Sequence, residues 1–414
     1  MTPLPLTGRI DASGFSTTIR RILLRLAEPA MPPAGDADAA LIRTAKDYDA
    51  ALSSGHQTAL ILRDKANTPT GFQKIVRLGP GFDWLAVGDV MAVEPAPRRY
   101  RVLWRRSSRH NAFLVTDRCD HRCLMCSQPP KDVDDGWIID EIRDCLALLP
   151  VETTTIGFTG GEPFLDWRRF IPLVQMTQEV LPAASVHVLT NGRAFCRPEV
   201  VAAWSKLDRG RACVGIPIYA AVDTIHNHVV QSHGALDETV LGILRLKDKG
   251  NRVEVRVVLH QLTVPRLIET CEWLARNLPF IDHVALMGME DTGYALANRD
   301  ILWIDPTDYG EVLARAVSVL AAAHMRISVY NLPLCVLPPA VRSFAVRSIS
   351  DWKNAYPEVC APCDERERCA GFFTTGRPKL SRAIAPIVYA DSSPRPGSAN
   401  VEPTPGEPDH RSPA

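Results

Sequence analysis

Cysteines are the residues whose spacing first suggests chemistry. Three of the eleven, Cys119, Cys123 and Cys126, fall within the eight residues CDHRCLMC, spaced C-x3-C-x2-C. Thiolates are soft donors, and three in one loop suit a soft metal or an iron–sulfur cluster. Structural zinc takes four closed ligands, and His121 is the neighbour that would complete such a set. A four-iron cubane held by three cysteines keeps one iron open to a substrate or cofactor. A second group comprises Cys335 and the C-x2-C-x5-C run of Cys360, Cys363 and Cys369. Four thiolates suffice to close either a cluster or a zinc site. Cys145, Cys196, Cys213 and Cys271 lie singly and read as small packing residues.

Such residues need a scaffold that points them at one place. From residue 111 the chain alternates in six strand–helix units, with strands in NAFLVT, TTTIGFT, SVHVLT, CVGIPIY, RVEVRVVL and DHVALMG. This alternation implies a parallel sheet with helices outside. The strands are mostly apolar and β-branched, as strands covered on both faces should be. An open doubly wound sheet and a partial barrel both satisfy the pattern. In either, chemistry belongs on the loops at the C-terminal ends of the strands. The three-cysteine stretch follows the first strand, TGGEP (Thr159 to Pro163) the second and TNG (Thr190 to Gly192) the third. Three unusual loops therefore share one rim.

Residues 1–108 form a separate α+β region. FSTTIRRILLRLAE and DAALIRTAKDYDAAL read as helical, followed by strand-like runs TALILRD, FQKIVRL, DVMAVEP and RYRVLWR. The last alternates charged and apolar residues, as a half-buried strand does. Residues 390–414 are rich in Pro, Ser and Gly and are expected to form a disordered tail. Over the 414 residues, 47 basic side chains balance 47 acidic ones. That balance argues against a chain built to coat nucleic acid or an anionic membrane. No apolar run reaches the roughly 18 residues of a membrane span. The start, MTPLPLTGRID, lacks the pattern of a secretion signal, so the cytoplasm is the expected location. Disulfides rarely persist there, and clustered cysteines then favour metal or redox chemistry.

The C-x3-C-x2-C loop after the first strand, with GGEP after the second, resembles the radical S-adenosylmethionine (radical SAM) enzymes. Met125 stands where such families often carry an aromatic residue. The resemblance implies a partial (β/α)6 barrel over residues 109–325. It implies a [4Fe–4S] cluster on Cys119, Cys123 and Cys126, whose open iron chelates S-adenosylmethionine. Reductive cleavage would yield a 5′-deoxyadenosyl radical, with electrons from a reductant such as flavodoxin or ferredoxin. In that setting Gly160 and Gly161 allow close backbone approach. Glu162 offers a charged acceptor and Pro163 stiffens the loop exit. Asn191 would orient the cofactor or serve as a plain turn residue. Arg256, a charge inside the fifth strand, would meet the cofactor carboxylate or form a structural ion pair. Tyr219, Asp223 and His260 are weaker candidates near other strand ends.

C-x2-C-x5-C resembles the auxiliary-cluster extensions of peptide-modifying radical SAM enzymes, of the SPASM and shorter twitch types. Phe373 occupies the position of a further cysteine in the longer version, so residues 326–380 are expected to hold one auxiliary [4Fe–4S] cluster, or zinc. More widely, CLMCSQPPKDVDDGW, HVLTNGRAF, VALMGMEDTG, LWIDP and SISDWKNAYPEVC resemble the C-type His-Xaa-Ser system radical SAM maturases. That resemblance implies a peptide or protein substrate with His-Xaa-Ser repeats and a second radical SAM maturase as partner. A radical enzyme acting on a small molecule or nucleotide, and a non-catalytic iron–sulfur or zinc partner protein, are the competing readings. For a peptide substrate, residues 1–108 would offer a sheet edge for strand addition.

Overall fold

A computed structural model describes residues 3–16, 18, 20–62, 71–376 and 378–389 of the 414. The tail expected at 390–414 lies outside the described residues.

The N-terminal region is an eight-stranded sheet with one helix. Its strands are β1 (Thr7–Arg9), β2 (Asp11–Ser13), β3 (Ile22–Ala27), β4 (Asp38–Ile42), β5 (Thr58–Leu62), β6 (Lys74–Leu78), β7 (Val90–Glu94) and β8 (Arg99–Trp104). Helix α1 (Ala45–Ser53) follows β4 and starts with a capping box between Thr44 and Asp47. The strand order is β1-β8-β7-β3-β4-β5-β6-β2. The two ends of that order, β1 and β2, are separated in sequence by Ile10 alone. Consecutive Cα atoms lie about 3.8 Å apart, so the sheet must curl until its edges meet. Leu24, Leu26, Leu60, Val76, Met91 and Val93 fill the interior.

Two expectations change here. FSTTIRRILLRLAE forms a strand, not a helix, over Ile22–Ala27: Leu24 and Leu26 alternate into the core while Arg25 pairs with Asp38. In DAALIRTAKDYDAAL the first five residues, Asp38–Ile42, form the fully buried strand β4, and only Ala45–Ser53 is helical.

The second sheet has seven parallel strands in sequence order: β9 (Ala112–Leu114), β10 (Thr155–Thr159), β11 (Ser185–Leu189), β12 (Ala212–Pro217), β13 (Arg252–Leu259), β14 (His283–Gly288) and β15 (Ile327–Tyr330). The main crossover helices are α2 (Trp137–Leu146), α3 (Trp167–Val180), α4 (Pro198–Trp204), α5 (Asp223–Val230), α6 (Ala235–Asp248) and α7 (Leu267–Asn277). After β14 come the short α8 (Tyr294–Ala297) and α9 (Arg299–Leu302), then α10 (Gly310–Ala322). A doubly wound sheet reverses its order at a switch point. This order never reverses, so right-handed crossovers place every helix on one face and the sheet curls into a partial barrel. In β13, Val253, Val255 and Val257 are fully buried in the apolar core with the helices, while Glu254 and Arg256 occupy the opposite face. The strand β15 extends the sheet beyond the six units legible in the sequence.

Residues after β15 pack against the barrel end. A small antiparallel pair, β16 (Asn354–Ala355) and β17 (Phe372–Phe373), brackets Cys360, Cys363 and Cys369. The N-terminal region docks through Glu141 of α2, whose carboxylate forms an ion pair with Arg21 at 2.9 Å and accepts from Arg101 at 2.7 Å. It also reaches the C-terminal segment through Arg105 and Asp351, 2.9 Å apart.

Candidate iron–sulfur centre and cofactor rim

The first cysteine loop is braced from three directions. At its base, Asp135 accepts from the Thr116 hydroxyl at 2.7 Å, the Asp117 backbone N–H at 2.6 Å and Arg118 Nε at 3.1 Å. On one flank the GGEP loop runs alongside: Gly161 N–H donates to the Thr116 carbonyl at 2.7 Å and Glu162 N–H to that of Arg118 at 2.8 Å. A Cβ on Gly161 would sit 2.0 Å from the Arg118 carbonyl oxygen. One on Gly160, where φ is +145°, would sit 2.5 Å from that of Thr116. Both glycines are required by the cysteine loop's own backbone. On the third side, Asn191 Nδ2 donates to Asp120 Oδ1 at 2.6 Å, and Arg193 reaches Asp120 Oδ2 at 3.3 Å.

Glu162 lies beneath these contacts, 2% exposed. Its carboxylate accepts from the Phe164 N–H at 3.0 Å, the Thr190 hydroxyl at 2.7 Å and the Asn191 N–H at 2.6 Å. Burial pushes its pKa up to about 7, against the pull of those donors. The side chain expected to offer a charged acceptor is thus engaged in joining the second rim loop to the third. Pro163 starts a single 3-10 turn, and the next residue, Phe164, is fully buried against Phe170, Phe195 and Trp204. The loop is anchored in the core directly behind its glycines.

The three thiols lie within electrostatic reach of one another. Burial, then Glu162, raises Cys119 to about 12, and burial with the two neighbouring thiols raises Cys123 further. Free thiols in this loop resist ionisation, whereas a coordinated thiol is deprotonated outright. The backbone N–H of His121 donates to Cys119 Sγ at 3.3 Å. The His121 ring is 2% exposed with neither nitrogen hydrogen-bonded, and burial lowers its pKa to about 4. Among the described residues, no three His, Cys, Asp or Glu side chains converge as a single metal ion requires. A cubane is larger than an ion, and three soft donors on one braced loop fit it.

Arg256 points to the barrel interior, where Nε and Nη2 donate to Met287 Sδ at 3.2 and 3.1 Å. Its nearest carboxylate is Glu254 at 3.5 Å. Burial alone would raise Glu254, but Arg256, His187 and His283 outweigh it and hold the pKa down to about 2. Tyr219 lies nearer the cysteine loop; burial, then the charges of Cys123 and Cys126, pushes its hydroxyl well up. Tyr219 and His260 rings pack 6.4 Å apart. Asp223 begins α5 and donates nothing to this grouping; its carboxylate accepts from the Thr224 N–H.

The second cysteine group also assembles. Burial, then Cys335, Cys369 and Cys363, raises the Cys360 pKa. Backbone N–H groups of Leu334 and Gly371 donate to Cys369 Sγ, each at 3.4 Å, and that of Ile387 to Cys363 Sγ at 3.4 Å. The last contact brings residues beyond 380 back over the site. Cys145 and Cys271 are fully buried packing residues.

Asp120, Asp135 and Arg193 are the structural supports that sequence reasoning missed. Arg193, directly after TNG, and Asp120, inside the first motif, carried no separate signal because they meet each other across two strand ends, and Asp135 acts on Thr116, Asp117 and Arg118 some residues before it.

Residues 113–274 match the family model described as the radical SAM superfamily. A GTP 3′,8-cyclase of Mycobacterium ulcerans (strain Agy99) is 26% identical over 234 residues, covering 50% of this chain and 62% of that protein. Among solved structures, Streptococcus suis SuiB bound to S-adenosylmethionine aligns with a TM-score of 0.42 at 13% identity, covering 53% of this chain and 49% of that one. Escherichia coli coproporphyrinogen III oxidase (HemN), described as a radical SAM enzyme, aligns at 0.41 with 11% identity, covering 51% and 52%. The chain spans less than two thirds of each relative. Among the described residues, no helix is long and apolar enough to cross a membrane.

Proposed function

We propose that this chain is a cytoplasmic radical SAM enzyme that modifies a peptide or protein, and that its substrate carries His-Xaa-Ser repeats. The observation that supports the reading is the match of residues 113–274 to the radical SAM superfamily, together with a second group made of Cys360 and three further cysteines within its electrostatic reach. Cys119, Cys123 and Cys126 would hold the cluster that binds S-adenosylmethionine. Cys335, Cys360, Cys363 and Cys369 would hold an auxiliary [4Fe–4S] cluster, saturated by protein thiols and suited to electron transfer or support. When bound and reduced, the first cluster and its cofactor supply a 5′-deoxyadenosyl radical able to take a hydrogen atom from the substrate.

The chain's own residues prepare that site. Asp135 and the GGEP backbone fix the cysteine loop; Gly160 and Gly161 leave its carbonyl face free of side chains. Glu162 and Asn191 lock three rim loops together, which limits reorganisation when the cofactor binds. Pro163 and Phe164 fix the loop exit. Arg256, held between Glu254 and Met287, keeps a cation in the barrel interior below the cysteine loop and would attract a carboxylate there. A reductant such as flavodoxin or ferredoxin would deliver electrons, with a second radical SAM maturase as the companion protein.

The cyclase relative supports a second reading, in which the substrate is a nucleotide. Anaerobically reconstituted protein should be incubated with S-adenosylmethionine, a reductant and either a His-Xaa-Ser repeat peptide or GTP. A mass change in the peptide, coupled to 5′-deoxyadenosine formation, is expected. Turnover of GTP with an unmodified peptide would replace this reading with the nucleotide one.

A further inference from the structure

Cys363 is held differently from Cys369, its neighbour in the second group. The two N–H groups that donate to Cys369 Sγ come from Leu334 and Gly371, each close in sequence to a cysteine of the group. Among the described residues, Cys363 Sγ receives its one N–H from Ile387, far along the chain.

Ile387 reaches Cys363 as part of residues 381–389, a segment with no helix or strand. It is fastened at two places. At its start, the Ser381 hydroxyl and the Arg382 N–H donate to Asp305 at 2.6 and 3.0 Å, and the Arg382 guanidinium donates to Asp308 at 3.1 Å. At its end, the Asp364 N–H donates to the Ile387 carbonyl at 2.9 Å. The Tyr389 N–H donates to Asp364 Oδ2 at 2.8 Å, and the Tyr389 hydroxyl to Glu365 Oε1 at 2.6 Å. Asp364 and Glu365 directly follow Cys363. Between the fastenings, residues 384–386 make no hydrogen bond among the described residues, while Ile387 packs against the barrel core.

A segment tied at its ends and unbonded in its middle can open locally at a free energy below that of global unfolding. Release at the Tyr389 end would take the N–H and the cover away from Cys363. The surroundings of Cys369 would stay as they are, since neither of its donors belongs to the segment.

We infer that residues 381–389 are a latch over the second cysteine site, through which metal is taken up or released by freeing Cys363. Tyr389 is the positioning residue that keeps the latch shut. The loading role rests on the metal-site reading above; the latch does not.

The test uses full-length protein reconstituted with iron and sulfide under argon. EDTA and iodoacetamide are added, and alkylation is followed at each cysteine by peptide mass spectrometry. Where reclosing is faster than alkylation, the rate follows the open population. Tyr389→Phe removes one hydroxyl bonded to a carboxylate and should speed alkylation of Cys363 about tenfold or more. Iron loss to EDTA should rise in step. Cys145 and Cys271, fully buried in the barrel, report general loosening and should keep their wild-type rates. Ile387→Pro, which lacks the N–H on Cys363, should act in the same direction and covers the case in which the first variant does not fold. Unchanged labelling of Cys363 in both variants, or a rise shared equally by Cys145 and Cys271, would overturn the latch. Metal analysis of the wild-type protein reports separately on the metal-site reading. A selective rise at Cys363 with no metal on the second group, or without faster iron loss, would leave the latch and overturn its loading role.

Discussion

Glu162 accepts the backbone N–H of Asn191 across 2.6 Å, and through that bond the second and third strand ends share one buried carboxylate. Asn191 in turn holds Asp120 of the cysteine loop. The acidic residue of GGEP therefore reads as the joint of the rim. Glu162→Gln keeps the shape but turns one amide N–H toward a backbone donor. It should cost about 1–3 kcal/mol of stability and lower iron retention, measured by chemical denaturation and iron assay.

The same carboxyl gives a pH signature. Its pKa rises from 4.5 to about 7 on folding, because burial disfavours the charged form. Its contribution is fully present below about 4.5 and is lost as pH rises through about 7, a span worth on the order of 3 kcal/mol. Denaturation of the native chain between those pH values should show this loss, and Glu162→Gln should flatten it. An unchanged slope in the variant would assign the pH dependence elsewhere.

Gly161→Ala tests the contact between the two loops. Its methyl group would lie 2.0 Å from the Arg118 carbonyl oxygen, closer than any real contact, so the cysteine loop must move. Strain of this kind costs about 1–3 kcal/mol or more. Iron content at the first site should fall, while the second site keeps its own. Iron analysis with Mössbauer spectroscopy separates the two.

Much of this arrangement was legible in residue order. The apolar strands and their helices gave a parallel sheet, and three motifs after three successive strands gave one rim. The choice between an open sheet and a partial barrel was not legible, because it depends on strand order, which periodicity does not encode. Leu23, Leu24 and Leu26 fit a helical face as well as a strand; pairing of β3 with β4 and β7 decides for the strand. β1 and β2 are three residues each and exposed, too short to leave a pattern. Asp135 and Asp120 act through partners in other segments, and a linear reading has no means of finding them. The reason for Gly160 and Gly161 also differs: the neighbouring backbone requires them before any ligand does.

The second cysteine group gives an independent prediction. Single Cys360→Ser and Cys369→Ser substitutions should remove roughly half of the iron in a two-cluster protein, since each would break one four-thiol site. The electron paramagnetic resonance response to S-adenosylmethionine at the first site should persist. Full iron content in both variants would mean that these thiols do not hold a cluster, and zinc analysis would then identify the metal.

The most direct test of the central claim is quantitation of 5′-deoxyadenosine from anaerobically reconstituted, reduced protein supplied with S-adenosylmethionine. The wild-type chain should form it, and Cys126→Ala should reduce it at least 100-fold, about 3 kcal/mol in barrier terms. Wild-type protein with a full complement of iron and sulfide that forms no 5′-deoxyadenosine would contradict the account.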